Sequence, residues 1–447
     1  MTVILSMTHM LAILLVLGLA SCLLLSGRRS LLALTVIGFI FITSLGLVFA
    51  PYLPLENIAY LTNPIFLIND GDIDLYLRQL QAHWIFIFLA FCGLLVELSW
   101  PKGTSYVFTN QARLRFWGII FFALGLLFSF EYFVLGPGMD LLLSSRIVFS
   151  STIEAVAARS IVRDTVQLGQ GAYAASLASK IIFPLAAALL LLSRAKRRYF
   201  WFALCFLLSA AYAFQTIQKA PLLAVLLTFS LLLAGDRYMQ NRLWHNLDRR
   251  HIKKVALITL LVSYVGGTIY YMINFGQSVV AAIQAVFARL LVIPGATETN
   301  YFYVFPDIYF FRGIDRILLI NLGHFPVLDD ITIFDVAVAA TGDRFSSNAS
   351  FLAVAWSGAG FWGVALASII LVGVLIALDR FLLSVDNRVY IVLVALTVQS
   401  FLGLSSGSLL DYIHWGGFII PLAILIVVYI SRKTRQISRD KFISNMR

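Results

Sequence analysis

Charge is scarce in this chain. Only 12% of its 447 residues are charged and 60% are hydrophobic, whereas an ordinary soluble domain carries about 25% charged residues. That balance excludes a soluble globular domain and predicts a polytopic membrane protein. Cysteine is scarcer still: Cys22, Cys92 and Cys205 all sit inside apolar runs, so neither a disulfide framework nor a thiolate metal site can be read. There is no Pro/Gly-rich boundary, no repeat and no low-complexity tract, which makes one membrane domain over 1–447 the economical reading. Also missing is any Lys or Arg ahead of Arg28 and Arg29. The stretch LGLASC, ending at Cys22, looks like a lipoprotein cleavage box, but a signal peptide needs a positive segment before its apolar core. An uncleaved first span with its N-terminus outside is expected instead.

Apolar runs are what the chain has in abundance. A membrane-spanning helix needs about 20 such residues. Runs of that kind lie near 8–26, 30–51, 81–100, 116–136, 177–193, 199–216, 220–235, 254–275, 360–378, 389–408 and 414–431. The fold class predicted is therefore all-α and polytopic, with about 11 transmembrane helices. Placing the basic tail 432–447 inside, as the positive-inside tendency requires, fixes the other loops by alternation. Inside then lie 23 of the 33 basic residues and 6 of the 22 acidic ones, many in the tail and in the loop 236–253. The net +11 of the chain belongs to that face and not to a nucleic-acid patch.

Against this background two long outside loops, 138–176 and 276–359, stand out because they hold seven of the ten outside cations: Arg146, Arg159, Arg163, Arg289, Arg312, Arg316 and Arg344. Long loops of this kind tend to be functional. Arg159 and Arg163, in VAARSIVRDTVQLGQG, share one face of a helix. Two guanidinium forks on one ridge suit a phosphate or pyrophosphate; pairing with Glu154 and Asp164 on a solvated surface is the plainer alternative. Arg289 stands alone in VVAAIQAVFARLLVIPG, apolar enough to lie in the interface, and is either an intramembrane functional cation or a snorkelling one. Lys219, in the short turn QTIQKAP, is a second phosphate contact or simple turn polarity.

The segment TNYFYVFPDIYFFRG offers Tyr301, Tyr303 and Tyr309 as sugar-stacking candidates, although such residues also line bilayer interfaces. In INDGDID, Asp70, Asp72 and Asp74 alternate, but the spacing to a glycine and a distal glutamate that marks an oxygen-ligand metal loop is lacking, so no metal site is assigned. His324 is the only histidine in either long outside loop, and it shares its loop with Glu298, Asp307, Asp329, Asp330 and Asp343. Any of these could serve as general base.

The arginine pair in RSIVR followed by KIIFP, the turn QKAP, the segment FARLLVIPG and SSNASFLAVAWSGAGFWG (346–363) together resemble the Wzy-type O-antigen, or repeat-unit polysaccharide, polymerases of bacterial inner membranes. The likeness covers roughly 140–380. It departs from the family pattern at Gln170, where the glycine expected after Arg159 is displaced to Gly169 and Gly171. The resemblance implies a multi-pass, metal- and cofactor-free glycosyltransferase with its site on the periplasmic face and a fold shared with O-antigen ligases. It would move a growing glycan from undecaprenyl pyrophosphate to the non-reducing end of a lipid-linked repeat unit, in company with membrane lipid and a chain-length regulator protein. Arg159, Arg163, Lys219, Arg289, Arg344 and Asn348 would then hold the pyrophosphate, and Glu298, Asp343 or His324 would receive the acceptor proton. An O-antigen ligase delivering glycan to a lipid A core is the near alternative, and a polysaccharide flippase the distant one.

Overall fold

The computed structural model describes residues 2–26, 28, 30–49, 73–100, 111–144, 171–194, 196–215, 219–240, 264–265, 268–269, 272, 278–287, 293–313, 331, 333–342, 349–382, 393–397, 403–405 and 409. Regular structure among the described residues is helical throughout. In chain order the helices are α1 (Thr2–Leu25), α2 (Leu31–Phe49), α3 (Ile73–Ser99), α4 (Gln111–Leu135), α5 (Gly138–Ser144), α6 (Ala172–Leu192), α7 (Arg198–Gln215), α8 (Lys219–Gln240), α9 (Val279–Phe287), α10 (Ile293–Val304), α11 (Ile333–Thr341) and α12 (Phe351–Leu382). Six of them, α1, α2, α3, α4, α6 and α12, are long and apolar enough to cross a membrane. The α-helical membrane class therefore holds. Helices α7 and α8 coincide with two further expected spans. The expected spans at 254–275, 389–408 and 414–431 lie wholly or largely outside the described residues.

Helix α6 is the centre. In its most apolar stretch 83% of residues are buried, against 28% in α1 and in α4. One face of α6, with Ile181, Leu185 and Leu189, joins the core built by α1, α2, α3, α10 and α12; another, with Phe183, Ala186 and Ala187, joins a second core built with α4, α7 and α8. Pro184 lies just inside the α-helical half of α6. It has no N–H to give the carbonyl four residues back, and the preceding turn, Ala178–Ile182, widens to π geometry. At this wide turn Ser179 and Ser209 each donate a hydroxyl to the other's carbonyl at 3.0 Å, which clamps α6 to α7.

Glycines set how closely the long helices approach. A Cβ on Gly125 of α4 would lie 2.6 Å from Phe183 Cε1, one on Gly118 2.8 Å from Leu190 Cγ, and one on Gly93 of α3 2.7 Å from Val372 Cγ1 of α12. Small residues at helix crossings are the usual device in a bilayer, where close packing rather than water exclusion drives association.

Helix α12 is broken. Ala359 (φ −156°, ψ 32°) and Gly360 (φ 58°, ψ −140°) leave helical geometry, and the positive φ at Gly360 suits glycine. The nearby carbonyls of Ser357 and Gly358 accept the backbone N–H groups of Arg312 (3.0 Å) and Gly313 (2.8 Å). The ring of Phe311 fills the space a side chain at Gly360 would need. Satisfying those carbonyls matters because an unmatched backbone group in hydrocarbon costs several kcal/mol, roughly.

Candidate functional site

Two buried polar clusters mark the two ends of the bundle of α1, α2, α3 and α12. The first joins the start of α2 to the final turns of α3 and α12. Ser30 caps α2 by accepting from Ala33 N at 2.8 Å, and Asp379 of α12 accepts from Leu31 N (2.7 Å), Leu32 N (2.9 Å) and Ser30 Oγ (3.4 Å). A carboxyl oxygen at a helix N-terminus accepts from N–H groups that have no partner within the helix. Arg28 closes the same end by donating to the carbonyls of Glu97 (2.7 Å) and Trp100 (2.6 Å).

The second cluster lies at the opposite end, where α10 is seated. Helix α10 belongs to the loop 276–359, yet it packs among α2, α3, α11 and α12 with Glu298, Thr299, Asn300, Phe302 and Val304 at 0% exposure. Gly295 permits the approach, since a Cβ there would lie 2.9 Å from the Thr43 carbonyl of α2. That carbonyl belongs to a π-helical turn, Ile40–Ser44, a kind of local widening often found at functional sites.

Polar side chains converge on this seat from four helices. His83 of α3 holds Glu298 Oε2 through Nε2 at 2.7 Å, with both side chains fully buried. Gln79, one turn before His83, donates through Nε2 to the Gly295 carbonyl (2.7 Å) and Glu298 Oε2 (3.3 Å), and its Oε1 accepts from Thr299 Oγ1 (3.0 Å). The other nitrogen of His83, Nδ1, meets Ser44 Oγ at 2.8 Å. His9 of α1 donates Nε2–H to the Ser44 carbonyl at 3.1 Å and accepts Trp84 Nε1–H on Nδ1 at 3.1 Å. At the edge of the cluster Tyr76 donates to the Leu47 carbonyl at 2.9 Å while Ser6 meets its hydroxyl at 2.9 Å. Among the described residues, Glu298 Oε1 is buried without a hydrogen-bond partner.

The aromatic run after Glu298 locks this end in place. Trp356 donates Nε1–H to the Phe305 carbonyl at 2.9 Å and packs against Phe302, with ring centroids 4.9 Å apart. Tyr301 is buried in the core; Tyr303 and Tyr309 pack partly buried against it. Burial pushes the Tyr301 phenol above its ordinary pKa, against the opposing pull of the Arg312 guanidinium. Arg78 of α3 and Asp307 pair at 2.8 Å on the surface beside the seat.

Arg159, Arg163, Arg289, His324, Asp343, Arg344 and Asn348 lie outside the described residues, as does the Lys219 side chain at the start of α8. Of the proposed proton acceptors Glu298 and Asp307 are described: Glu298 sits inside the bundle rather than in a solvated loop, and Asp307 is held on the surface by Arg78. Asp74 is exposed in the first turn of α3, and Asp70 and Asp72 are outside the described residues. Among the described residues no group of three or more His, Cys, Asp or Glu is placed to hold a metal ion. Sequence reasoning passed over His9, Gln79 and His83. Their signal was present: Gln79 and His83, four residues apart in an apolar helix, share one face, and an ionisable group in a span is a functional candidate by default. No family model, curated protein or solved structure matches the chain.

Proposed function

We propose that this chain is a bacterial inner-membrane glycosyltransferase that works on glycans carried by undecaprenyl pyrophosphate, with its site at the α10 end facing the periplasm. In this reading it is a repeat-unit polymerase that passes the growing glycan to the non-reducing end of a new lipid-linked unit. The observation that carries the reading is the seating of α10. A segment of a long, cation-bearing loop reaches into the bundle and brings a carboxylate to a histidine there. Arg159, Arg163 and Arg289, in the loops assigned to the same side, bind the pyrophosphate and stabilise the negative charge that grows on it as the glycosidic bond breaks. Lys219, Arg344 and Asn348 add contacts to the same group.

A second reading rests on a different observation. Glu97, Asp379, His9 and His83 are ionisable and buried within membrane-length helices, and such groups often line ion or proton pathways in transporters. One experiment separates the readings: deletion of the gene followed by gel analysis of the lipopolysaccharide. Loss of a polymerase leaves core plus one repeat; loss of a ligase leaves bare core. Loss of a flippase leaves bare core and strands the repeat unit on the cytoplasmic side.

A further inference from the structure

A buried carboxylate oxygen with no partner needs a physical account, because it has given up its hydrogen bonds to water with nothing in exchange. Glu298 is held asymmetrically. Its Oε2 takes contacts from His83 at 2.7 Å and Gln79 at 3.3 Å, while its Oε1 takes none among the described residues. Four polar side chains of the cluster are committed elsewhere: Thr299 to Gln79 (3.0 Å), Ser44 to His83 (2.8 Å), Trp84 to His9 (3.1 Å) and Tyr76 to Leu47 (2.9 Å). The network thus fixes the carboxylate by one oxygen and keeps the other for a donor that is not part of the helices.

We propose that this donor is a sugar hydroxyl of the acceptor and that Glu298 is the catalytic base, with His83 and Gln79 as positioning residues. The proposal rests on the glycosyl-transfer reading above. In the step, the acceptor O–H gives its proton to Glu298 Oε1 as its oxygen bonds to the anomeric carbon of the donor glycan. The anomeric carbon–oxygen bond to the pyrophosphate breaks, and the electron pair leaves with the lipid pyrophosphate. Glu298 then releases the proton to water, so that charge and atoms balance. Because Glu298 is fully enclosed in this conformation, the acceptor reaches Oε1 through an opening on the Oε1 side that leaves the contacts of Oε2 to His83 and Gln79 in place.

The test uses the full-length protein in proteoliposomes with undecaprenyl-pyrophosphate-linked repeat units, glycan length being read on gels across a pH series. Glu298→Gln retains the size of the side chain and an oxygen to accept from His83, so the folded protein should persist with an unchanged melting temperature in detergent. The expected result is a fall in kcat of about a hundredfold or more, with a KM for acceptor within a few-fold of wild type. His83→Leu should lower kcat with little change in KM, and His83→Gln, which restores a donor to Oε2, should recover part of it. Full-rate polymerisation by folded Glu298→Gln overturns the proposal and leaves glycosyl transfer standing. Should that variant not fold, Glu298→Asp is the comparison, and an unchanged rate there overturns it equally. Wild-type protein that makes no longer glycan from these substrates overturns the underlying reading itself.

Discussion

The indole of Trp84 donates its N–H to Nδ1 of His9 across 3.1 Å. A ring nitrogen that accepts carries no proton, so the hydrogen of His9 sits on Nε2 and points at the Ser44 carbonyl, 3.1 Å away. Nitrogen-15 spectra of protein labelled at histidine should show this tautomer for His9. Trp84→Phe should uncover Nδ1 in a buried place, lowering stability by about 1–3 kcal/mol and weakening the tautomer preference. A His9 protonated on Nδ1 would mean that the hydrogen bond runs otherwise than described.

At the other end, Asp379 takes the first amides of α2 at 2.7 and 2.9 Å. Asp379→Ala should leave the first amides of α2 without their acceptor, costing about 1–3 kcal/mol, and lower the thermal midpoint of the detergent-solubilised protein. Asp379→Asn, which still accepts, should lie between the two. An Ala variant as stable as wild type would show that solvent or Ser30 alone suffices to cap α2.

Gly125 and Phe183 set the spacing of α4 and α6, with 2.6 Å available to a Cβ. Gly125→Ala should cost about 1–3 kcal/mol through overpacking, and Gly18→Ala, which meets no atom within 4 Å, should cost far less. Comparable melting temperatures for the two would place the helix crossing elsewhere.

If Arg159, Arg163 and Arg289 converge on pyrophosphate, each Arg→Ala change should slow polymerisation roughly ten- to hundredfold, the equivalent of one charged hydrogen bond. Arg→Lys should rescue in part, because the charge survives and the bidentate fork does not. Arg146→Ala serves as the control and should leave the rate near wild type. Normal long chains from the Arg159→Ala, Arg163→Ala double variant, at wild-type protein level, would reduce the pair to a solvated surface.

If the chain is a polymerase as proposed, elongation should proceed unchanged in EDTA, and the triple change of Asp70, Asp72 and Asp74 to Asn should leave chain length intact. Loss of product that returns on adding Mg²⁺ or Mn²⁺ would overturn a metal-free reaction.

Membrane-length helices such as α3 and α12 were legible because unbroken apolar runs are a strong signal. Helix α10 was not. Its sequence, IPGATETNYFYV, has Pro, Gly and a polar middle, which read locally as a loop. Thr299 and Glu298 become core residues because Gln79 and His83 answer them from a helix more than two hundred positions earlier. No local pattern carries such a match. The aromatic run was equally ambiguous: Phe302 and Phe305 are at 0% exposure and Phe310 is at 91%, a division made by packing against Trp356 and not by residue type. The role of Asp379 was hidden as well, because its partners Leu31 and Leu32 contribute only backbone amides, to which sequence is blind.

The amides of Arg312 and Gly313 lie against carbonyls just before the break at Ala359 and Gly360. Mechanically, then, the segment 310–313 belongs to the upper part of α12 and moves with it. Force on that segment acts on α12 several residues inside its end, at the one joint where the two halves can tilt independently. Deuterium exchange should register this coupling: the amides of Arg312 and Gly313 should exchange at the pace of Val354, whose own N–H is bonded to the Ser350 carbonyl at 3.1 Å, and Gly360→Ala, by straining the joint, should hasten all three together.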